Sequence, residues 1–589
     1  MAVTTAAEAS SPAEWQGLVK LAASEVAASA LRRLHGWVPS MPVFRADGLA
    51  RPVPPLVRGN PDVAAEIYRG RFRFAGTTID AGGRSIFECT AAPAEWLQEL
   101  HGFAWLADLR ASGRELSRAQ ARSLISEWTL ARKRHPKLAF ATGVTGRRLT
   151  AWVRHADVLL HGASGNFHKG FMASATAEAR ALSRQLACET DHRARLTGAI
   201  ALGYASLALS GLTSQWPMAA ARLTAELQEQ ILADGGHRSR SPQVLLDILL
   251  DLLPIRAMLD DAKTEVPSEL YAALERMVPM LRFFLHGDGG LAAFHGVSDP
   301  AAGQVRAALD LDRVEGRPLI HAVHSGYCRL AHGPCAVVMD VGRPPPPGSN
   351  DQAGASPLAF EFSDGGNRVV VNCGSALAQA GEWRRAARLT DAHSTVCLGQ
   401  ANAATIVDNP LVARIFGTPA LMGPRNVSAQ VESTADGTVV SARHDGYVAL
   451  FGIAVERRLY LSAGGRDMRG EDRFFADLEG GSNIEAVPFA LRFHLHPSVK
   501  ANLSQDGASV VLMLPDRNGW RFSARGGRLR LEDSVYLLGR GGPRRTQQIV
   551  VSGVVGHPDR VNWTFKRIDR RAAPGQAAGQ TDVLPLLTE

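Results

Sequence analysis

The sequence predicts a helical half followed by an antiparallel β half, and three observations carry that prediction. Apolar residues recur at three- and four-residue spacing up to about residue 300. After Pro318 the period becomes two, and glycine-containing turns then separate short runs rich in Val, Leu and Phe. Of 589 residues, 46% are hydrophobic and 21% charged, enough for packed cores, which excludes disorder as the main state.

In the first half the segments EWQGLVKLAASEVAASALRRL, AEWLQELHGFAWLADLRASG, SRAQARSLISEWTLAR and GRRLTAWVRHADVLLHGA each read as one amphipathic helix. FMASATAEARALSRQLAC, AARLTAELQEQIL, VLLDILLDLLPIRAML and SELYAALERMVPMLRFFLH continue the series. Between Arg195 and Arg222 lies an uncharged stretch, which Gln215, Pro217 and many Ser, Thr and Gly residues dilute too far for a membrane span. It reads as a helix buried on all sides, so the helices are expected to pack in layers and not as a simple four-helix bundle. Short polar joints between segments suit antiparallel helix pairs.

In the second half, PLIHAVHSGYCRLAHGPCAVVMDVG reads as two strands around a turn. LAFEFSDGGNRVVVNCG reads as a hairpin, because Asp364-Gly365-Gly366-Asn367 tolerates positive φ. Regular short strands follow to about residue 570, the pattern of an antiparallel sandwich. The Pro-rich run Arg343–Asn350 is a stiff surface loop in this reading. The expected domains are therefore 1–300 and 318–570, with a flexible tail over 571–589.

Sixty-five Lys and Arg against 57 Asp and Glu leave a formal charge of +8, which permits an anionic partner without requiring one. The excess is mostly Arg, suited to bidentate contact with carboxylate or sulfate. Cys89, Cys188, Cys328, Cys335, Cys373 and Cys397 form no C-x-x-C pair, so they read as buried small hydrophobes. Glu8, Glu14, Lys20 and Glu25 interrupt the N-terminus, and no secretory signal is recognisable there.

Four constellations could carry chemistry. Leu232–Pro242 places Asp234, His237, Arg238 and Arg240 on one loop, and Leu285–Gly296 places His286, Asp288 and His295 on another. Each contains Asp-Gly-Gly, which suits either a close backbone approach to a sugar or anion, or a tight helix-ending turn with a capping Asp. Two carboxylates such as Asp234 and Asp288 would also suit a glycoside hydrolase. Glu382–Arg388 combines Trp383 with Arg384, Arg385 and Arg388, close before His393, a set that fits an acidic sugar. In PFALRFHLHP, alternation puts Arg492, His494 and His496 on one strand face. His494-x-His496 is also a weak metal signal. Zinc there is the one cofactor considered, and otherwise none is expected.

Taken together, DGGHRSRSP, LERMVPMLRFFLHGDGGLAAFHG, ASPLAFEFSDGGNRVVVNCG, WRRAARLTDAHSTV and RFHLHP resemble the heparinase II/III-like family over about residues 90–550. The resemblance implies an incomplete α/α toroid followed by a β-sandwich, with a cleft between them. It also implies polysaccharide lyase chemistry on uronate-containing glycans. In that chemistry the carboxylate is neutralised, a base removes the C5 proton and an acid protonates the leaving O4. At the family's functional positions this sequence departs. Its Asn-His falls on Asp191-His192, its Tyr on Val244, its sandwich His on Gly354 and its zinc-binding Asp on Asn372, while His393 is kept.

The expectation is a lyase acting on an acidic polysaccharide by β-elimination, with His237 and His393 transferring protons and Arg240 and Arg388 holding the carboxylate. His192, Asp234, Asp288, Arg384, His494 and His496 are further substrate-binding candidates. The alternative is an acidic-glycan-binding envelope protein whose lyase site has degenerated. No nucleic-acid partner is expected. Location in the envelope or periplasm follows from the resemblance alone, and the lack of a recognisable signal leaves the cytoplasm as the other reading.

Overall fold

The computed structural model describes Ala23 and residues 45–56, 58–89, 91–297, 302–310, 318–375, 382–407, 420–476, 486–539, 542–556 and 559–568. The first expected helix, apart from Ala23, and the expected tail lie outside these residues.

The N-terminal half is helical, as the periodicity requires, with two corrections. The segments read as one helix each over 94–113 and 146–163 are split. Ala94–Gly102 ends where Phe103 takes a φ of 61°, and Leu106–Ala111 resumes after it. Thr142–Arg154 gives way at His155 to the short Ala156–Leu160. A small hairpin, Arg71–Phe74 paired with Thr77–Asp80, is an element that the helical periodicity did not foretell. The uncharged stretch lies within His192–Ala208 and beyond it. That helix is buried on nearly every side and capped by Asp191, whose carboxylate accepts from the Ala194 amide at 3.0 Å. It packs against Thr142–Arg154 and Trp216–Gln230, while Pro242–Asp261 packs against Ser268–Phe283. These successive pairs build an incomplete α/α toroid. Among the described residues no helix is long and apolar enough to cross a membrane.

Two open antiparallel sheets form the second half. In the first, strands order as Arg528–Tyr536, Arg544–Val554, Pro488–Leu495, Asn367–Val371, Phe360–Asp364, Cys335–Asp340, Tyr327–His332 and His321–Ala322, with Val396–Leu398 beside Pro488–Leu495. The second runs Val427–Thr434, Gly437–Tyr447, Ile453–Ser462, Asp467–Ala476, Arg560–Ile568, Gly519–Arg525, Ser509–Met513 and Lys500–Leu503. Period-two apolar residues interdigitate between the sheets. Phe360 stacks on Trp563 with ring centroids 5.5 Å apart, and Phe493 packs edge-on against the same indole at 4.9 Å. The thiols are all free; four are buried, but Cys89 is half-buried and Cys188 exposed, which corrects the reading of all six as core residues.

Both Asp-Gly-Gly loops fasten the toroid to the sandwich. Asp234 accepts from the Ser325 amide and hydroxyl, both at 2.6 Å. Asp288 accepts from Arg368 Nε at 2.8 Å, and His286 lies 3.0 Å from both Glu361 and Ser363 Oγ. The glycines allow this approach. A Cβ on Gly236 would sit 1.9 Å from Ser325 Oγ, and one on Gly287 would sit 1.8 Å from the Gly365 carbonyl oxygen. Arg240 completes the joint. Its guanidinium donates to the carbonyls of Ser325, Gly326 and Arg343, pairs with buried Asp340 and lies over the Tyr327 ring.

Candidate functional site

A cleft of about 1050 Å³ lies between toroid and sandwich. Three helices present residues to its back wall: Glu95, Gln98 and Glu99 from Ala94–Gly102, Arg147 from Thr142–Arg154, and Arg193 from His192–Ala208. The front carries His295, the loop with Asp351 and Gly354, the run Arg384–Arg388, and His393.

Formal charge in this lining is balanced, with five Arg (147, 193, 384, 385, 388) against five carboxylates (Glu95, Glu99, Glu189, Asp191, Asp351), so local placement decides what the cleft can hold. Several of these charges are already engaged. Arg384 bridges the cleft to Glu95 at 2.7 Å, and that hydrogen bond lowers the Glu95 pKa. Arg388 donates to the carbonyls of Ala353 and Asn350, holding the loop that carries Gly354. Asp191 caps its helix. Arg147 differs, because among the described residues it has neither a hydrogen bond nor an ion pair. Solvent reaches it, yet it lies deep enough that surrounding protein, and then the like charge of Arg193, push its pKa down. Glu99, Asp191 and Asp247 offset part of that shift, but among the described residues none bonds the guanidinium directly, so its N–H donors are left to an anionic ligand. Beside it, burial raises the Glu99 pKa and favours the neutral acid.

On the front wall His393 is buried, and neither ring nitrogen has a hydrogen-bond partner among the described residues. Burial pulls its pKa to about 3, so the ring is neutral at neutral pH. Gly354 packs on its edge: a Cβ there would lie 2.3 Å from His393 Nε2, so any side chain at 354 must displace the imidazole. His295 lies 3.3 Å from Asp340 Oδ2, and its Nδ1 accepts from the Gly354 amide.

Of the residues in the sequence-predicted constellations, the structure gathers His295, Arg384, Arg385, Arg388 and His393 at the cleft. His237 is buried below it. Its Nδ1 accepts from the Ser239 amide and its Nε2 faces Gln230 Oε1 at 3.2 Å, while burial holds its pKa at about 3. It is bonded within its own loop and does not line the cleft. Arg240 is wholly engaged in the interdomain joint, so it cannot hold a substrate carboxylate. Arg388, with two carbonyls to satisfy, positions the 350–354 loop. His192 packs between Arg195, Arg238 and Glu229 behind the cleft. Asp234 and Asp288 are held by Ser325 and Arg368, which removes them as hydrolase carboxylates. His494 is buried between Asp391 O and Ser534 Oγ, and His496 faces a different cavity. Arg147, Arg193 and Glu99 went unread because each looks like a solvated helix charge. The neighbouring Asp191-His192 match was the one signal that pointed toward Arg193.

The zinc implied by the resemblance does not fit these residues. Asn372 stands where the family has an Asp, its Oδ1 already accepts from the Ser394 amide, and Glu361 is engaged by His286. Among the described residues no group of three or more His, Cys, Asp or Glu is arranged to hold a metal ion.

Residues 314–564 match the family described as heparinase II/III-like, C-terminal. FtsZ-localized protein C of Caulobacter vibrioides (strain NA1000 / CB15N) is 31% identical over 545 residues, covering 89% of this chain and 91% of that protein. The chain belongs to the heparinase II/III-like family. Solved members of similar fold include heparinase III, at TM-score 0.63 and 14% identity over 83% of this chain and 80% of that one. Heparan sulfate lyase HepC from Pedobacter heparinus aligns at TM-score 0.54 and 15% identity, over 95% and 92%. At such identity the heparinases share the toroid-plus-sandwich architecture, which this chain retains.

Proposed function

We propose that the interdomain cleft binds a uronate-containing acidic polysaccharide, and that binding is its principal function. The Arg147 guanidinium beside Arg193 on the back wall carries this reading, since among the described residues no group bonds it directly and a uronate carboxylate there supplies a planar bidentate acceptor. None of the seven tyrosines lines the cleft, so the proton-transferring Tyr of the family has no replacement of its kind. Titration of the full chain with heparan sulfate and polygalacturonate is expected to show salt-sensitive binding, weakened about tenfold in Arg147→Ala. Arg147→Ala binding both polymers as tightly as the parent would sink the proposal.

Elimination is the second reading, favoured by the unpartnered neutral imidazole of His393. In it, Arg147 and Arg193 neutralise the uronate carboxylate, His393 takes the C5 proton and Glu99, whose pKa burial raises, protonates O4. The same titrations, followed by the ultraviolet absorbance of unsaturated uronate, separate the two readings. Absorbance that grows with the parent and vanishes with His393→Gln, at affinity kept within a few fold, decides for the lyase.

The identity with the Caulobacter protein over most of both chains also favours association with FtsZ. Purified full chain is expected to co-sediment with FtsZ polymers above its own background, and recovery at background alone counts against this association.

A further inference from the structure

A second cavity, about 480 Å³, opens at the same domain junction but shares no lining residue with the glycan cleft. The second Asp-Gly-Gly loop, helix Ala302–Asp310 and the sandwich edge around His496, Tyr536 and Arg544 enclose it. Its walls are apolar where Leu285, Leu291, Val305 and Leu538 face inward.

Its polar side chains are donors (Arg306, Arg368, His496, Tyr536 and Arg544) set against two carboxylates, Asp288 and Asp310. Arg544 lies over the Tyr536 ring at 5.0 Å and donates one bond, to the Leu538 carbonyl. Among the described residues it has no carboxylate partner. Among the described residues the Tyr536 hydroxyl has no hydrogen-bond partner either. Burial pushes its pKa up to about 12, so it remains a donor. His496 Nδ1 accepts from the Ser498 amide at 3.3 Å and lies 2.7 Å from Ser498 Oγ, which places the ring proton on Nε2, the nitrogen without a protein partner. Burial, followed by the charges of Arg368 and Arg544, holds the ring neutral with a pKa of about 4. The nearby carboxylates are engaged, Asp288 with Arg368 and Asp310 at the rim with Arg306. Two donors without acceptors among the described residues, Tyr536 Oη and His496 Nε2, meet a cation without a carboxylate partner beside an aromatic ring and aliphatic walls.

We propose that this cavity is a second binding site, for a small hydroxylated monoanion of monosaccharide size such as a hexuronate. The carboxylate pairs with Arg544, hydroxyls accept from Tyr536 and His496, and the apolar face of the sugar ring packs on leucine. The site does not rest on the glycan reading, because a polymer chain lying in the cleft touches none of these residues.

Calorimetric titration of the full chain with D-glucuronate, with D-glucose as the uncharged control, tests the assignment. Glucuronate is expected to bind about tenfold or more tightly than glucose. Arg544→Gln and Tyr536→Phe should each weaken it several-fold. Circular dichroism and thermal melting establish that each variant is folded. Absence of glucuronate binding overturns the proposal. So does binding that survives both Arg544→Gln and Tyr536→Phe, which would mean that the sugar occupies the cleft.

Discussion

Acidification from about pH 7 to about pH 4.5 is expected to unfold this protein, because histidines buried as neutral rings must then bury a proton. Burial holds His101, His155, His237 and His393 at pKa values of about 3, and His444 and His494 at about 4. Their unfolded value is about 6.5. Between about pH 6.5 and 4 the unfolded chain therefore binds protons that the folded chain refuses, and stability falls as pH falls. One such ring contributes at most about 1.4 kcal/mol per pH unit. Six rings at half that effect give about 4 kcal/mol per unit, set against a total stability of about 5–15 kcal/mol. Glu99, Asp247 and Asp251, whose pKa values burial raises, oppose the trend but are only three. Urea unfolding at stepped pH should show a midpoint that collapses below about pH 5.5. A midpoint unchanged from pH 7 to 5 is incompatible with neutral buried rings.

Arg240→Ala should cost about 3–5 kcal/mol, the price of leaving Asp340 charged and buried without its cation. Once the arginine is gone, Asp340 keeps Ser356 Oγ, the Gly342 amide and His295. The carbonyls of Ser325, Gly326 and Arg343 lose their donor as well. Arg240→Lys should recover only part of the loss, since a single ammonium cannot reach acceptors that a planar fork serves together. Adding Asp340→Asn to Arg240→Ala should restore stability, because it removes the orphaned charge. Denaturant midpoints of the parent, Arg240→Ala, Asp340→Asn and the double variant measure this coupling. A loss below about 1 kcal/mol for Arg240→Ala would mean that the joint is not held by this pair.

Much of the architecture was legible in the sequence, because hydrophobic period is a local property. Helices such as Ser268–Phe283 and hairpins such as Phe360–Val371 follow from residue spacing and turn chemistry alone. The breaks at Phe103 and His155 were not legible, since no Gly or Pro stands at either position and packing decides the local conformation there. Nor was the function of the Asp-Gly-Gly loops. Their composition fits a sugar site and an interdomain fastener equally well.

By itself the sequence determined the order of helical and β halves, the heparinase-like motifs and the retention of His393, all of which depend on residues near one another in the chain. The tertiary structure alone decided which polar groups remain available. Arg240, Asp234 and Asp288 find partners about 80–100 positions away and are engaged by them, Arg240 and Asp288 in ion pairs and Asp234 by the Ser325 amide and hydroxyl. Arg147, unremarkable on its own helix, ends in the cleft without one. Whether a charge can meet a ligand depends on what lies within about 4 Å of it in the folded chain, and chain connectivity does not encode that neighbourhood residue by residue.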